Sequence, residues 1–147
     1  MNVKKLLCGT LSCVMLMCCI GSAGAIQTNN YKSMDEMFYS MVSTKVGGFS
    51  MERATGSINV TLEPRELVAG SSFQMERGQI VTIKCTYAPT TASIDFGLLE
   101  PNGNFRYISG SNGSVNASIQ VDERGSYTFA IRNNSGRSVS VSGRINY

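Results

Sequence analysis

Few side chains in this sequence are equipped for covalent chemistry. The 147 residues include no histidine and no tryptophan, and of five cysteines only Cys85 lies beyond residue 25. A thiol attacks as thiolate and needs a base or a positive neighbour to become one, so a cysteine nucleophile here lacks its usual imidazole. Cys85 alternates with Val81 and Ile83, the pattern of a small buried apolar side chain. A Ser–Lys pair is the other nucleophilic arrangement open to the chain, but none of Lys32, Lys45 and Lys84 has a serine three residues before it.

A glycoside hydrolase would need two carboxyl groups about 5–9.5 Å apart across a cleft. The candidates are Asp35/Glu36, Glu63/Glu66, Asp95/Glu100 and Asp122/Glu123. Asp35 and Glu36 fall in a helix's first turn, where the dipole favours negative charge, and Asp122 and Glu123 fall in a turn, where Asp accepts from nearby amides. Adjacent carboxylates on a turn make no cleft, so a weak carboxylate-based hydrolase is the minor alternative and a non-enzymatic protein the expectation. No cofactor is expected. Zinc, copper and iron lack His and Cys ligands, and Asp95, Asp122 and Glu123 could offer oxygens to calcium, but without an Asp-x-Asp-x-Asp run. The glycine-containing string Gly110–Ser114 lacks the lysine of a phosphate loop.

Binding remains. Phe105 and Tyr107 flank Arg106 just after the turn formers Pro101-Asn102-Gly103, where loop-proximal rings can stack on a sugar or peptide. These three residues are the candidate ligand-binding site. The competing expectation turns both rings inward with Leu98, since aromatic side chains are commonly buried.

The elements that would position such a site begin after a leader. Lys4 and Lys5 precede an apolar stretch from Leu6 to Ile20 and the small residues Gly21–Ala25, the layout of a secretory signal with cleavage after Ala25. The stretch is short of the ~20 residues that span a bilayer, which disfavours a retained anchor, and a lipidated start at Cys18 or Cys19 ranks last. Expected segments are therefore a signal peptide over 1–25, an N-terminal segment over 26–48, and a domain over 49–147, with a secreted or extracytoplasmic product. Losing two lysines leaves eleven basic against ten acidic residues, so no long-range attraction to nucleic acid or anionic lipid is expected. A single remaining thiol gives no internal disulfide, and the core must hold the domain.

Met34, Met37, Phe38, Met41 and Val42 fall at helical spacing, with Ser33 and Glu36 as a capping box and Gly47-Gly48 as a stop. The pattern predicts a short amphipathic helix from about Met34 to Lys45. Its stripe packs on the domain's own core or, through Met34, Met37, Phe38 and Met41, supports self-association or a protein partner. From about Ser57 the period becomes 2. Val81/Ile83/Cys85/Tyr87, Ile94/Phe96/Leu98, Val115/Ala117/Ile119/Val121, Tyr127/Phe129/Ile131 and Val139/Val141/Ile145 alternate with polar residues. Ser57–Leu62, Leu67–Met75 and Phe105–Ile108 add further strands. Alternation of this kind belongs to antiparallel sheets with one buried and one wet face.

The connections Ala88–Thr91, Pro101–Asn104 and Asn133–Gly136 are short and rich in turn formers, which predicts hairpins. The first would set Cys85 opposite Ile94 and Lys84 opposite Asp95 on the wet face. The last would set Phe129 opposite Val141 and Tyr127 opposite Gly143. Seven to eight short strands argue for an antiparallel two-sheet β-sandwich, with a small barrel as the alternative.

Phe73–Val81, with Arg77-Gly78 before a strand, and Asp122-x-x-Gly125-x-Tyr127-x-Phe129-x-Ile131-x-Asn133 are features that recur in sandwiches, where the glycine of a Gly-x-Tyr strand entry makes the bend and the tyrosine hydroxyl reaches back to a main-chain group. Through them Phe73–Tyr147 resembles the small jelly-roll-type β-sandwich domains of exported bacterial proteins, pre-peptidase C-terminal-like domains and carbohydrate-binding modules. The resemblance implies a mainly β, jelly-roll-like fold and a binding or accessory role at the envelope, toward polysaccharide, peptide or a protein partner. It carries over no binding residue.

Overall fold

The computed structural model describes residues 30–33, 43–46 and 55–147. They form ten strands: β1 (Asn30–Ser33), β2 (Ser43–Val46), β3 (Thr55–Leu62), β4 (Glu66–Met75), β5 (Ile80–Ala88), β6 (Ile94–Leu99), β7 (Asn104–Ser109), β8 (Ser114–Gln120), β9 (Gly125–Asn133) and β10 (Val139–Asn146). The larger sheet has the order β1-β7-β6-β9-β4-β2 and the smaller β3-β10-β5-β8. Every pairing is antiparallel except β2 with β4. Among the described residues no helix is long and apolar enough to cross a membrane.

Alternation builds this mainly β, two-sheet architecture. Val81, Ile83, Cys85 and Tyr87 of β5, Val115, Ala117 and Ile119 of β8, and Val139, Val141 and Ile145 of β10 are buried against Phe96, Leu98, Tyr127, Phe129 and Ile131 of the larger sheet. Fully burying a side chain of that size stabilises by about 1.5–3 kcal/mol. Phe73, near the end of β4, stacks on Tyr147 with ring centroids 4.1 Å apart.

All eight strands expected after position 56 are present, yet two of three expected hairpins are not. Only β6 and β7 form one, with Leu99 opposite Phe105 and Gly103 N–H donating to the Glu100 carbonyl. The chain passes from one sheet to the other between β5 and β6 and again between β9 and β10. Cys85 therefore faces Val115 and Gly143 rather than Ile94, and Val141 lies opposite Tyr87 and Val60 rather than Phe129. A connection of about five residues, as here, serves equally for a hairpin and for a sandwich corner, and both keep the apolar side chains inward.

The N-terminal segment also contributes strands. Of the helix expected over Met34–Lys45, residues 34–42 lie outside the described residues, as does the self-association stripe of Met34, Met37, Phe38 and Met41. Ser43, Thr44 and Lys45 belong to β2, and β1 and β2 form opposite edges of the larger sheet. The leader and its cleavage point at Ala25 likewise lie outside them.

Candidate functional site

Residues 105–107 divide between the two faces of β7. Arg106 points toward the inter-sheet side. Its Nη1 donates to the Gln120 carbonyl at 2.6 Å, and Nη2 meets Glu100 Oε1 at 2.7 Å and the Asp122 carboxylate. The Tyr31 ring lies 5.0 Å from its guanidinium carbon. Burial opposes the charge on Arg106, but the Asp122 hydrogen bond and the charges of Glu100 and Asp122 outweigh it and raise its pKa above the ordinary value. The surrounding pocket of about 320 Å³ is lined by Tyr31, Glu100, Asn102, Asp122, Glu123 and Tyr127. Arg106 Nε is buried there without a hydrogen-bond partner among the described residues.

The turn holding Asp122 is set by the Gly125-x-Tyr127 unit. The Tyr127 hydroxyl donates to the Glu123 carbonyl at 2.9 Å, the backward reach expected from the sequence. A Cβ at Gly125 would lie 2.3 Å from Pro101 Cγ, so only glycine lets this corner close on the β6–β7 turn. Burial, with the nearby Glu100 and Glu123 charges, raises the Tyr127 pKa.

Phe105 and Tyr107 occupy the outer face of the larger sheet. They stack at 5.4 Å and pack with Leu67, Ala69, Leu99 and Ala130 in a second apolar cluster, where Phe105 is 0% exposed and Tyr107 half-buried. The Arg132 guanidinium lies 4.6 Å from the Tyr107 centroid and 5.4 Å from that of Phe105. Asp95, expected on a wet face beside Lys84, is buried here instead. It accepts from Arg132 Nε at 3.0 Å and Nη2 at 2.5 Å, Ser109 Oγ at 2.6 Å and Asn134 Nδ2 at 2.7 Å. Gly97 and Ala130 lie opposite one another in the next row, so β6, a central strand, is covered on both faces. Tyr107 and Arg106 thus serve different surfaces.

The carboxylates of Glu63 and Glu66 are also occupied. Glu66 Oε2 accepts the Glu63 amide at 2.7 Å, and Ser138 Oγ donates to Glu63 Oε2 at 3.0 Å. Asp35 and Glu36 lie outside the described residues, among which no three His, Cys, Asp or Glu side chains converge as a metal-binding group. Cys85 is 4% exposed, and burial, against a main-chain hydrogen bond from Arg144, pushes its thiol up to about 11.

The outer face of the smaller sheet differs from both. Its register places Ser57, Arg144, Lys84 and Asn116 in one row across β3, β10, β5 and β8. The rows on either side are Asn59, Ser142, Thr86, Ser114 and Thr55, Asn146, Thr82, Ser118. Hydroxyls and amides link neighbouring strands: Thr55 Oγ1 donates to Asn146 Oδ1 at 2.9 Å, and Thr86 and Ser142 share a hydrogen bond at 3.2 Å. A shallow depression of about 670 Å³ crosses the row, lined by Lys84, Thr86, Asn116, Ser142, Arg144 and Asn146. Beneath it a Cβ at Gly143 would lie 2.3 Å from the Lys84 carbonyl oxygen and 2.6 Å from Cys85 Cα, so a glycine keeps β10 and β5 close. Lys84 and Arg144 each occupied an outward position in the alternation. That they oppose each other follows only from β5 pairing with β10.

Fold and side-chain placement define a small two-sheet β-sandwich with a carboxylate-free polar face. Among solved structures this fold is similar to that of Aeromonas hydrophila PliG, a periplasmic lysozyme inhibitor of g-type lysozyme, with a TM-score of 0.52 and 11% identity over 70% of this chain and 97% of that one. PliG of Salmonella Typhimurium aligns with a TM-score of 0.42 and 16% identity over 69% of this chain and 97% of that one. A mutant of the Escherichia coli inhibitor aligns with a TM-score of 0.39 and 12% identity over 71% and 96%. No protein-family model matches the chain, and no curated protein does.

Proposed function

We propose that this chain is an exported, non-enzymatic binding protein whose partner is another protein, and that it acts as an inhibitor of a g-type lysozyme. The observation that carries this reading is the sandwich it shares with Aeromonas hydrophila PliG across nearly the whole of that chain. Two features of its own residues support it. Asp95, Glu100 and Asp122, carboxylates that hydrolysis would require, are held by Arg132 and Arg106, and the Cys85 thiol is protonated at neutral pH. The leader over 1–25 delivers the protein to the compartment where periplasmic inhibitors act.

The test is titration calorimetry of the purified protein against a g-type lysozyme, together with lysis of a peptidoglycan suspension. Binding at micromolar or tighter Kd, with stoichiometric loss of lysis, is expected. Retention on envelope polysaccharide without lysozyme binding, abolished by Tyr107→Ala, would replace this reading with glycan recognition through the Phe105–Tyr107 edge. Turnover of chromogenic glycosides that disappears in Asp95 or Asp122 variants would replace it with a hydrolase.

A further inference from the structure

The centre of the smaller sheet's outer face is electrostatically unfinished. Lys84 and Arg144 are directly opposite on adjacent antiparallel strands, where Cβ atoms stand about 4.5–5.5 Å apart and like charges destabilise. Both are exposed, and among the described residues neither makes an ion pair. The ten positions around them in the three rows are all Ser, Thr or Asn, so none is acidic. Among the described residues Arg106 pairs with Glu100 and Asp122, Arg132 with Asp95, and the exposed Arg124 with Glu76, whereas Arg65, Arg77 and Arg137 form no ion pair; Lys84 and Arg144 differ from these three in facing each other across adjacent strands. Selection for stability alone would place a carboxylate opposite one of the two cations.

We infer that this face is the protein's docking surface and that its partner is a carboxylate-rich protein surface, which supplies the negative charges the face lacks. The inference deepens the protein-binding reading and rests on it for the class of partner. The short hydroxyl and amide side chains around the cations are largely fixed by cross-strand hydrogen bonds, so docking orders few long rotamers. The depression admits carboxylates from above, and Lys84 and Arg144 donate to them with strengthened, charge-assisted hydrogen bonds. Association is then steered by charge and weakens with salt over a Debye length of about 8 Å near physiological ionic strength.

The probe is a hexaglutamate peptide, with hexalysine as control, titrated into the ¹⁵N-labelled protein at low ionic strength. Expected are salt-sensitive amide shifts confined to Lys84, Thr86, Asn116, Ser142 and Arg144. Lys84→Glu and Arg144→Glu should each weaken hexaglutamate binding at least tenfold, while Arg77→Glu, at an exposed cation off this face, changes it less than twofold. Shifts spread equally over Arg65, Arg77 and Arg137, or binding that survives both reversals, would overturn the inference. Lysozyme binding measured in parallel separates the two claims. If lysozyme binds equally well to the reversed variants, the docking face is wrong and the inhibitor reading stands. If hexaglutamate maps to the face while lysozyme does not bind at all, the face stands and the named partner falls. As an independent check of the like-charge clash, Lys84→Thr should raise Tm by about 1–3 °C, and a fall in Tm would remove the premise.

Discussion

Replacing Asp95 by alanine should destabilise this protein more than any other single change to a charged side chain on the larger sheet. Asp95 is 3% exposed and Arg132 5% exposed, and the Asp95 carboxylate takes four hydrogen bonds from Arg132, Ser109 and Asn134. An exposed ion pair would be worth about 0–1 kcal/mol. Here Asp95→Ala leaves a guanidinium buried against Phe105 and Tyr107 with no counter-charge, and deleting one partner of a buried pair costs about 3–5 kcal/mol. Against a total stability of about 5–15 kcal/mol that is a large fraction. Urea unfolding followed by circular dichroism measures it, with an unchanged m-value as evidence that the same surface is exposed in both proteins. The double variant Asp95→Ala/Arg132→Leu should recover much of the loss, because replacing the guanidinium by an apolar side chain removes the stranded charge. A loss below about 1 kcal/mol for Asp95→Ala, or a double variant no better than the single, would refute the burial-based account of this cluster.

Three other outcomes are expected. The Cys85 thiol titrates near 11 when folded and near 8.5 when unfolded, so the unfolded chain releases its proton first. The Cys85 contribution is fully present below about pH 8.5 and is lost as pH rises toward 11, by about 3–3.5 kcal/mol in all; denaturant midpoints of wild type and Cys85→Ala should show that difference in slope, and parallel profiles would contradict it. Gly143→Ala pushes a methyl against the β5 backbone and should cost about 1–3 kcal/mol by thermal unfolding, with exchange protection lost first at the β5–β10 ladder. Tyr127→Phe removes only the hydrogen bond to the Glu123 carbonyl and should cost about 0.5–1.5 kcal/mol; an effect near zero would mean that water replaces the carbonyl's partner.

Alternation in the sequence was enough to place five of the eight later strands and their inward faces, because a period of two leaves no other way to bury Val81, Ile83, Phe96, Phe129 and Val141 together. The Tyr127 hydroxyl's reach was equally legible, since that contact spans only four residues. Asp95 was not. Its neighbours in the chain mark it as the wet side of β6, and only the arrival of Arg132 from β9 makes it buried. Residues 105–107 looked like one surface because they are consecutive, but a strand sends successive side chains to opposite faces, so Arg106 joined Glu100 and Asp122 while Phe105 and Tyr107 joined Arg132.

Composition and local pattern by themselves determined a β-rich domain with no imidazole chemistry, a buried thiol and polar outward positions, since each of these depends on residue type and spacing within a few positions. Which strands share a sheet, and therefore that Lys84 faces Arg144 rather than Asp95, was decided only by the tertiary structure. The physical reason is that a short corner costs the chain nearly the same whether it turns within a sheet or crosses between two, and the choice is made by long-range packing that no local window contains.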